Sequence, residues 1–330
     1  MGTAWCISAL SAYLTSSTEY LLSLPPASLC QLYFILASCG VLAVAAAPAT
    51  ARPLLLNYGA RKSGAQDADN GREESPDRRP GPFVRLVATV TSWGQIPHSW
   101  FITFYVSYIA SSLFWLLQYL TRGSVLQTIA TRQAESAEPS MSGGQVALVW
   151  TAMLVQACRR LYEHLAVFNP STSKMWVVHW LLGESFYLCT SVAVWVDGPD
   201  PILRGQLRLA DTPLALTWKR CAALLLAVAA WISQYRCHKH LAGLKKYSLP
   251  SMGMFRSLVC PHYTAECILY LSLAVCAAPE GRLYNKTLLC ALAFVAVNLG
   301  VTAGETRRWY VSRFGPESVA GKWNMVPWIF

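Results

Sequence analysis

Seven runs of apolar residues, each near the length that crosses the hydrocarbon core of a bilayer, constrain this 330-residue chain more than any other feature. They fall at about 27–47, 98–120, 144–168, 175–196, 214–235, 263–278 and 286–303. Lipid offers no partner to a backbone N–H or C=O, so a run of this length must satisfy its own backbone as a helix. The expected fold is therefore an all-α polytopic membrane protein of about seven transmembrane helices. A composition of 54% hydrophobic and 13% charged residues excludes a soluble domain of this size. The first twenty residues carry no Lys or Arg, so the basic start of a cleaved signal peptide is missing and the first run reads as a retained span.

Charge gives the orientation. With the N terminus lumenal, nineteen of the 27 Lys and Arg residues fall in cytosolic segments and eight in lumenal ones, the bias of the positive-inside rule. The net charge of +10 is spread over loops rather than gathered in one patch, which argues against nucleic acid as a partner. The eleven cysteines lie scattered in apolar stretches without the spacing of a zinc site or a disulfide frame, so no metal is expected. Residues 61–82 are rich in Gly, Pro, Asp, Glu and Arg and cannot form a core; they read as a disordered cytosolic loop. That loop separates an N-terminal segment with the first span, 1–60, from a membrane domain, 83–330. Residues 121–142 read as a polar lumenal connection. An Asn285-Lys286-Thr287 glycosylation pattern lies in a lumenal loop, close to the membrane.

Polar residues gather where lipid would not tolerate them without partners or a ligand. From Gln234 to Glu266, between two spans, come Arg236, His238, Lys245, Lys246, Tyr247, Gly253, Arg256, His262 and Tyr263. They imply a polar pocket facing the cytosol. Glu266 falls in the first turns of a helix opened by Pro261, where the positive dipole end favours a carboxylate, and such a helix start can also receive phosphate. At the end of the third span, Arg159 and Glu163 are four apart, as are Arg160 and His164, so charges stack along one face. A snorkelling basic end with an internal salt bridge explains that spacing equally well. Tyr105 sits inside the second span, where packing or interfacial anchoring is the commoner role for a phenol. The tail places Arg307, Arg308, Trp309, Tyr310, Arg313 and Phe314 after the last span. No glycine-rich dinucleotide fingerprint or Walker motif is present.

Taken together, Arg159-Arg160-Leu-Tyr162-Glu163, Gln234-Tyr-Arg-Cys-His238 with Leu244-Lys245-Lys246, Phe255 with Cys-Pro261-His262-Tyr263-Thr-Ala-Glu266, and Trp309-Tyr310-x-x-x-Phe314 before Pro327-Trp-Ile-Phe resemble the steroid 5α-reductase family. The polyprenol/polyprenal reductase branch, which serves dolichol synthesis, is the most similar. The resemblance covers roughly 97–330. It implies a seven-helix, NADPH-dependent enzyme of the endoplasmic reticulum membrane with its active site towards the cytosol. By position, Gln234, His238, Lys245, His262, Glu266 and Tyr310 match places that line the nicotinamide-nucleotide pocket, and Asn298 matches a polar position of the last span. Arg307 and Thr103 stand where family members commonly carry His, and Gly315-Pro316-Glu317 replaces a more basic run.

Hydride addition to a carbon–carbon double bond needs an electron sink, which conjugation to a carbonyl supplies. The substrate this implies is the α,β-unsaturated aldehyde of a long-chain isoprenoid, polyprenal, reduced at its α-isoprene double bond towards dolichol for protein N-glycosylation. Tyr105 is the first choice as donor to the developing oxyanion, with Glu163 and Tyr310 as orienting or relay groups. Lys245, Arg256 and Arg307 would counter the cofactor phosphates. Reduction of a steroid enone uses the same chemistry, and a methyltransferase could share the C-terminal helical arrangement. A transporter or non-catalytic scaffold would also place polar residues within the membrane, although broken helices and internal repeats, which favour transport, are not seen.

Overall fold

The computed structural model describes residues 19–20, 23–56, 81–169, 173–211, 216–245 and 248–330. The loop expected over 61–82 lies outside them, except for Gly81 and Pro82, where a helix opens. In chain order the elements are α1 (Pro26–Ala45), α2 (Arg52–Leu56), α3 (Pro82–Ser92), β1 (Gln95–Pro97), α4 (Ile102–Leu120), α5 (Ser124–Ala134), α6 (Gly143–Ala166), β2 (Lys174–Trp176), α7 (Val177–Ala193), α8 (Pro199–Leu203), α9 (Trp218–Ala242), α10 (Pro261–Cys276) and α11 (Lys286–Phe314). Short 3₁₀ turns occur at His98–Phe101, Leu209–Asp211, Gly253–Arg256 and Pro316–Val319.

Local chemistry sets the helix ends. Pro26 and Pro261 open α1 and α10 at positions whose N–H would have no partner in any case. Ser142 and Gln145 form a reciprocal capping box on α6. The Asn285 side chain accepts from the Leu288 N–H at 2.9 Å to start α11, and Gly315, at φ +84°, ends it.

Among the described residues, the seven long helices alternate in direction. At one end, the start of α6 meets the end of α10, because Gln145 Nε2 donates to the carbonyls of Cys276 and Ala278. Arg220, at the start of α9, donates to Ala278 O at 3.1 Å, and Asn285, before α11, donates to Asp197, after α7, at 2.8 Å. Gln31, near the start of α1, reaches Thr287 at 2.9 Å. The opposite end gathers the starts of α4, α7 and α10 with the ends of α6, α9 and α11. There β1 and β2 pair antiparallel, Gln95 opposite Trp176, and tie the start of α4 to that of α7. Farther along, α4 and α7 approach so closely that a Cβ on Gly183 would sit 2.4 Å from the Phe104 ring. Phe186 centres the core, 5.8 Å from the Phe34 ring and 5.0 Å from Phe294, among the fully buried Tyr108, Trp195 and Tyr270.

By length and composition, α1, residues His98–Leu120 and α11 can each cross a membrane. The remaining four long helices stand where the other four spans were expected. Of these, α6 and α9 have 24 and 25 residues, α6 carrying charges near one end and α9 near both. α7 and α10, with 17 and 16 residues, reach about 25 Å at ~1.5 Å per residue. The polar stretch is not one connection: α9 continues beyond Tyr235 to Ala242 and carries Gln234 and His238 itself. Likewise α11 continues past Ala303 to Phe314 and takes in most of the expected tail. The connection over 121–142 contains the helix α5.

Candidate active site

Glu163, near the end of α6, is fully buried, and every close partner it has is cationic or able to become so. Arg159 Nη1 donates to one carboxylate oxygen and Arg160 Nη1 to the other. The three residues fall on adjacent turns of one helix, so the spacing alone brings them together. His238 Nδ1, from the end of α9, lies 2.8 Å from Glu163 Oε2 and 2.9 Å from Arg160 Nη1. A carboxylate oxygen only accepts, so the 2.8 Å contact with Glu163 takes a proton on Nδ1. The arrangement is a buried ion cluster, not a snorkelling helix end, since both arginine side chains are only 16% exposed.

Arg159 extends the cluster to α10. It donates to Gln156 Oε1 at 2.8 and 3.2 Å and also to Gln234 Oε1. Gln156 Nε2 then donates to Glu266 at 3.3 and 3.4 Å. Gln234 Nε2 donates to Glu266 Oε2 and, at 3.4 Å, to the His262 carbonyl. Two amides thus relay one guanidinium to a second carboxylate, and two cations face two anions overall. The His262 ring lies 5.5 Å from His238. Its Nδ1 is closed off from solvent and has no hydrogen-bond partner among the described residues, the kind of polar atom a ligand satisfies.

On the other side Arg160 meets α4. Its Nη2 donates to the Tyr105 oxygen at 3.0 Å, and its guanidinium lies 5.3 Å from that ring's centre and 5.7 Å from Phe168. Because the phenol oxygen accepts from Arg160, its own O–H is left to donate elsewhere. The Tyr105 ring meets Tyr187 of α7 edge-on at 5.8 Å. Thr103, where a histidine was noted as common, contacts Glu184 of α7 and accepts from Trp180 Nε1 at 2.9 Å.

The structure therefore brings together Tyr105, Glu163, Gln234, His238, His262 and Glu266. Lys245 and Arg256 are exposed at the same end of the bundle. Asn298 is half-buried on α11. Tyr310 is buried with Val259, Cys260, Ala303, Val319 and Met325, in a cluster bordered by Tyr263. Arg307 is committed to Lys322 O at 2.7 Å, Val319 O at 3.1 Å and Asn324 Oδ1 at 3.4 Å. Sequence reasoning passed over Gln156, although it lies two turns before Glu163 on the same face. It also passed over Glu184, whose signal was a carboxylate within an apolar run. A cavity of about 440 Å³ lies at the far end, lined by Gln31, Glu138, Asp197 and Asn285 among others, and none of the clustered residues reaches it.

Residues 205–330 match the family described as 3-oxo-5-alpha-steroid 4-dehydrogenase, which agrees with the resemblance read from the sequence. The chain is 27% identical over 190 residues to "Polyprenal reductase 2" of Oryza sativa subsp. japonica, covering 49% of this chain and 53% of that protein. It is 28% identical over 258 residues to "Polyprenal reductase" of Xenopus laevis, covering 72% and 79%. With "Polyprenal reductase" of Saccharomyces cerevisiae it shares 32% identity over 183 residues, covering 55% and 64%. The matched region thus spans about half the length of the rice relative.

Proposed function

We propose that this chain is an NADPH-dependent polyprenal reductase of the endoplasmic reticulum membrane, with the Glu163 end of its bundle towards the cytosol. In this reading it reduces the α-isoprene double bond of polyprenal to dolichal and so supplies dolichol for protein N-glycosylation. Residues 83–330 form the catalytic membrane domain, behind the N-terminal segment 1–60 and the loop 61–82. The observation that carries the proposal is the Tyr105–Arg160 contact, a buried phenol whose oxygen accepts from a guanidinium and whose proton is left to donate.

NADPH supplies a hydride when bound. The chain's own residues suit such a guest: the orphaned His262 Nδ1 beside the Gln234–Glu266 relay offers a polar wall, and exposed Lys245 and Arg256 can meet phosphates. Tyr105 donates to the aldehyde oxygen, and the Arg160 charge stabilises the negative charge that develops there. Glu163 and His238 hold Arg160 in place. Tyr310 acts through the start of α10, against which it packs, rather than on the substrate. A polyprenyl tail is too long to enclose, so only its head enters while the rest stays in lipid along the apolar helix faces.

The test is conversion of polyprenal to dolichal by the purified chain with NADPH. Equal reduction of polyprenol, under conditions where no aldehyde can form, would sink the conjugated-carbonyl argument. The description of the matched family favours one second reading, reduction of a steroid enone by the same chemistry. Competition between a steroid enone and polyprenal in the same assay decides between them.

A further inference from the structure

Residues 319–330 fold back as a strap over the start of α10. Leu258 and Trp323 form an isolated parallel bridge. Trp323 N donates to Ser257 O at 2.9 Å, Val259 N to Trp323 O at 2.9 Å and Cys260 N to Asn324 O at 3.0 Å. Thr264 Oγ1, in the first turn of α10, donates to Met325 O. The strap closes on itself through Met325 N and Val326 N, which donate to Phe330 O at 2.9 and 3.0 Å. The Phe330 ring lies across the glycines of α11, 3.8 Å from where a Cβ on Gly300 would stand. Arg307 fastens the strap to α11 through its contacts with Val319 O, Lys322 O and Asn324 Oδ1.

We propose that Arg307 is a positioning residue: it clamps the strap to α11, and the strap fixes the first turns of α10, which carry His262 and Glu266. Three acceptors at fixed angles suit a planar guanidinium and not a point charge. Three of its five N–H groups are spent on the strap. The strap meets α10 within two residues of His262, whose carbonyl, with the Glu266 side chain, accepts from Gln234. A shift of this helix start therefore reaches the relay to Arg159. In its effect on a dinucleotide, the inference rests on the function proposed above.

The experiment uses the full chain in nanodiscs as wild type, Arg307→Ala, Arg307→Lys and Thr264→Val. Hydrogen exchange is followed over 257–268 and 322–326, and NADPH and NADH are titrated by fluorescence. Arg307→Ala should speed exchange in both segments roughly tenfold while α1 and α4 stay unchanged. It should weaken both dinucleotides by one common factor, on the order of tenfold, with Arg307→Lys in between. Thr264→Val should act in the same direction and add little to Arg307→Ala, because both cut the same strap. Unaltered exchange over 257–268 overturns the proposal. So does a loss confined to NADPH, which would make Arg307 a direct ligand of the extra phosphate, and so does loosened exchange with undiminished affinity. If the wild type binds neither dinucleotide, the cofactor reading falls, while exchange over 257–268 still decides the clamp.

Discussion

Glu163 and Tyr105 sit on either side of the Arg160 guanidinium, and their substitutions should fail in opposite ways. Glu163→Gln preserves shape but leaves two largely buried guanidiniums without their shared counter-charge, the circumstance in which breaking a buried pair costs most. The expected loss is on the order of 3 kcal/mol, read as a thermal midpoint several degrees lower in detergent, together with loss of turnover. Tyr105→Phe keeps the edge contact with Tyr187 and the face presented to Arg160. Its stability should change by only about 1 kcal/mol, whereas kcat should fall by roughly 10²–10⁴ with NADPH affinity unchanged. A fall in that affinity matching the fall in kcat would move Tyr105 from the substrate oxygen to the wall of the cofactor site.

At the scale of elements, the far end holds its own buried polar joint, where Asp197 after α7 meets Asn285 and Thr287 at the start of α11. Burial pushes the Asp197 carboxyl above the usual carboxylate range; hydrogen bonds from Thr287 and Asn285 pull back, nearby Glu138 adds to the rise and Lys286 opposes it. A carboxyl raised on folding binds its proton more tightly in the native state, so its contribution to stability falls as pH rises from its unfolded value through its folded one. Asp197→Asn keeps an oxygen for Asn285 and removes the charge. It should be as stable as wild type or more so at pH 7, with the difference shrinking towards pH 4, and a clear loss at pH 7 would refute this account. Asn285 itself is 1% exposed and caps α11, so its acceptor pattern is spent on structure. Helix positions of this kind were legible, because apolar runs mark where a backbone must satisfy itself. The ends of α9 and α11 were not: the apolar runs stop near Tyr235 and Ala303, but helical hydrogen bonds continue through the polar residues beyond, as far as Gly243 and Gly315. The partners that Arg159 and Glu184 find on other helices, Gln234 and Thr103, were hidden for another reason. Helices that are apolar nearly all round do not disclose, from periodicity, which face turns to which neighbour.

For the whole molecule, the alternating direction of seven helices makes the site possible, since it carries the ends of α6 and α9 and the starts of α4 and α10 to one level. The sequence expectation of nineteen basic residues on the cytosolic side against eight on the other then gives that level a membrane face, because positively charged loops resist translocation. Which ends touch and where charge lies can be tested together. In a variant without its native cysteines, single cysteines at Ser251 or Glu317 report the site end, and at Arg204 or Glu280 the far end; all four positions are exposed. In sealed microsomes an impermeant maleimide should label the first pair at once and the second only after permeabilisation. The reverse pattern would turn the site towards the lumen, away from a cytosolic supply of NADPH. Labelling of both pairs from outside would mean that some of the long helices end short of the opposite face. The polar cluster would then be a surface feature and not a chamber beside the lipid that holds its substrate.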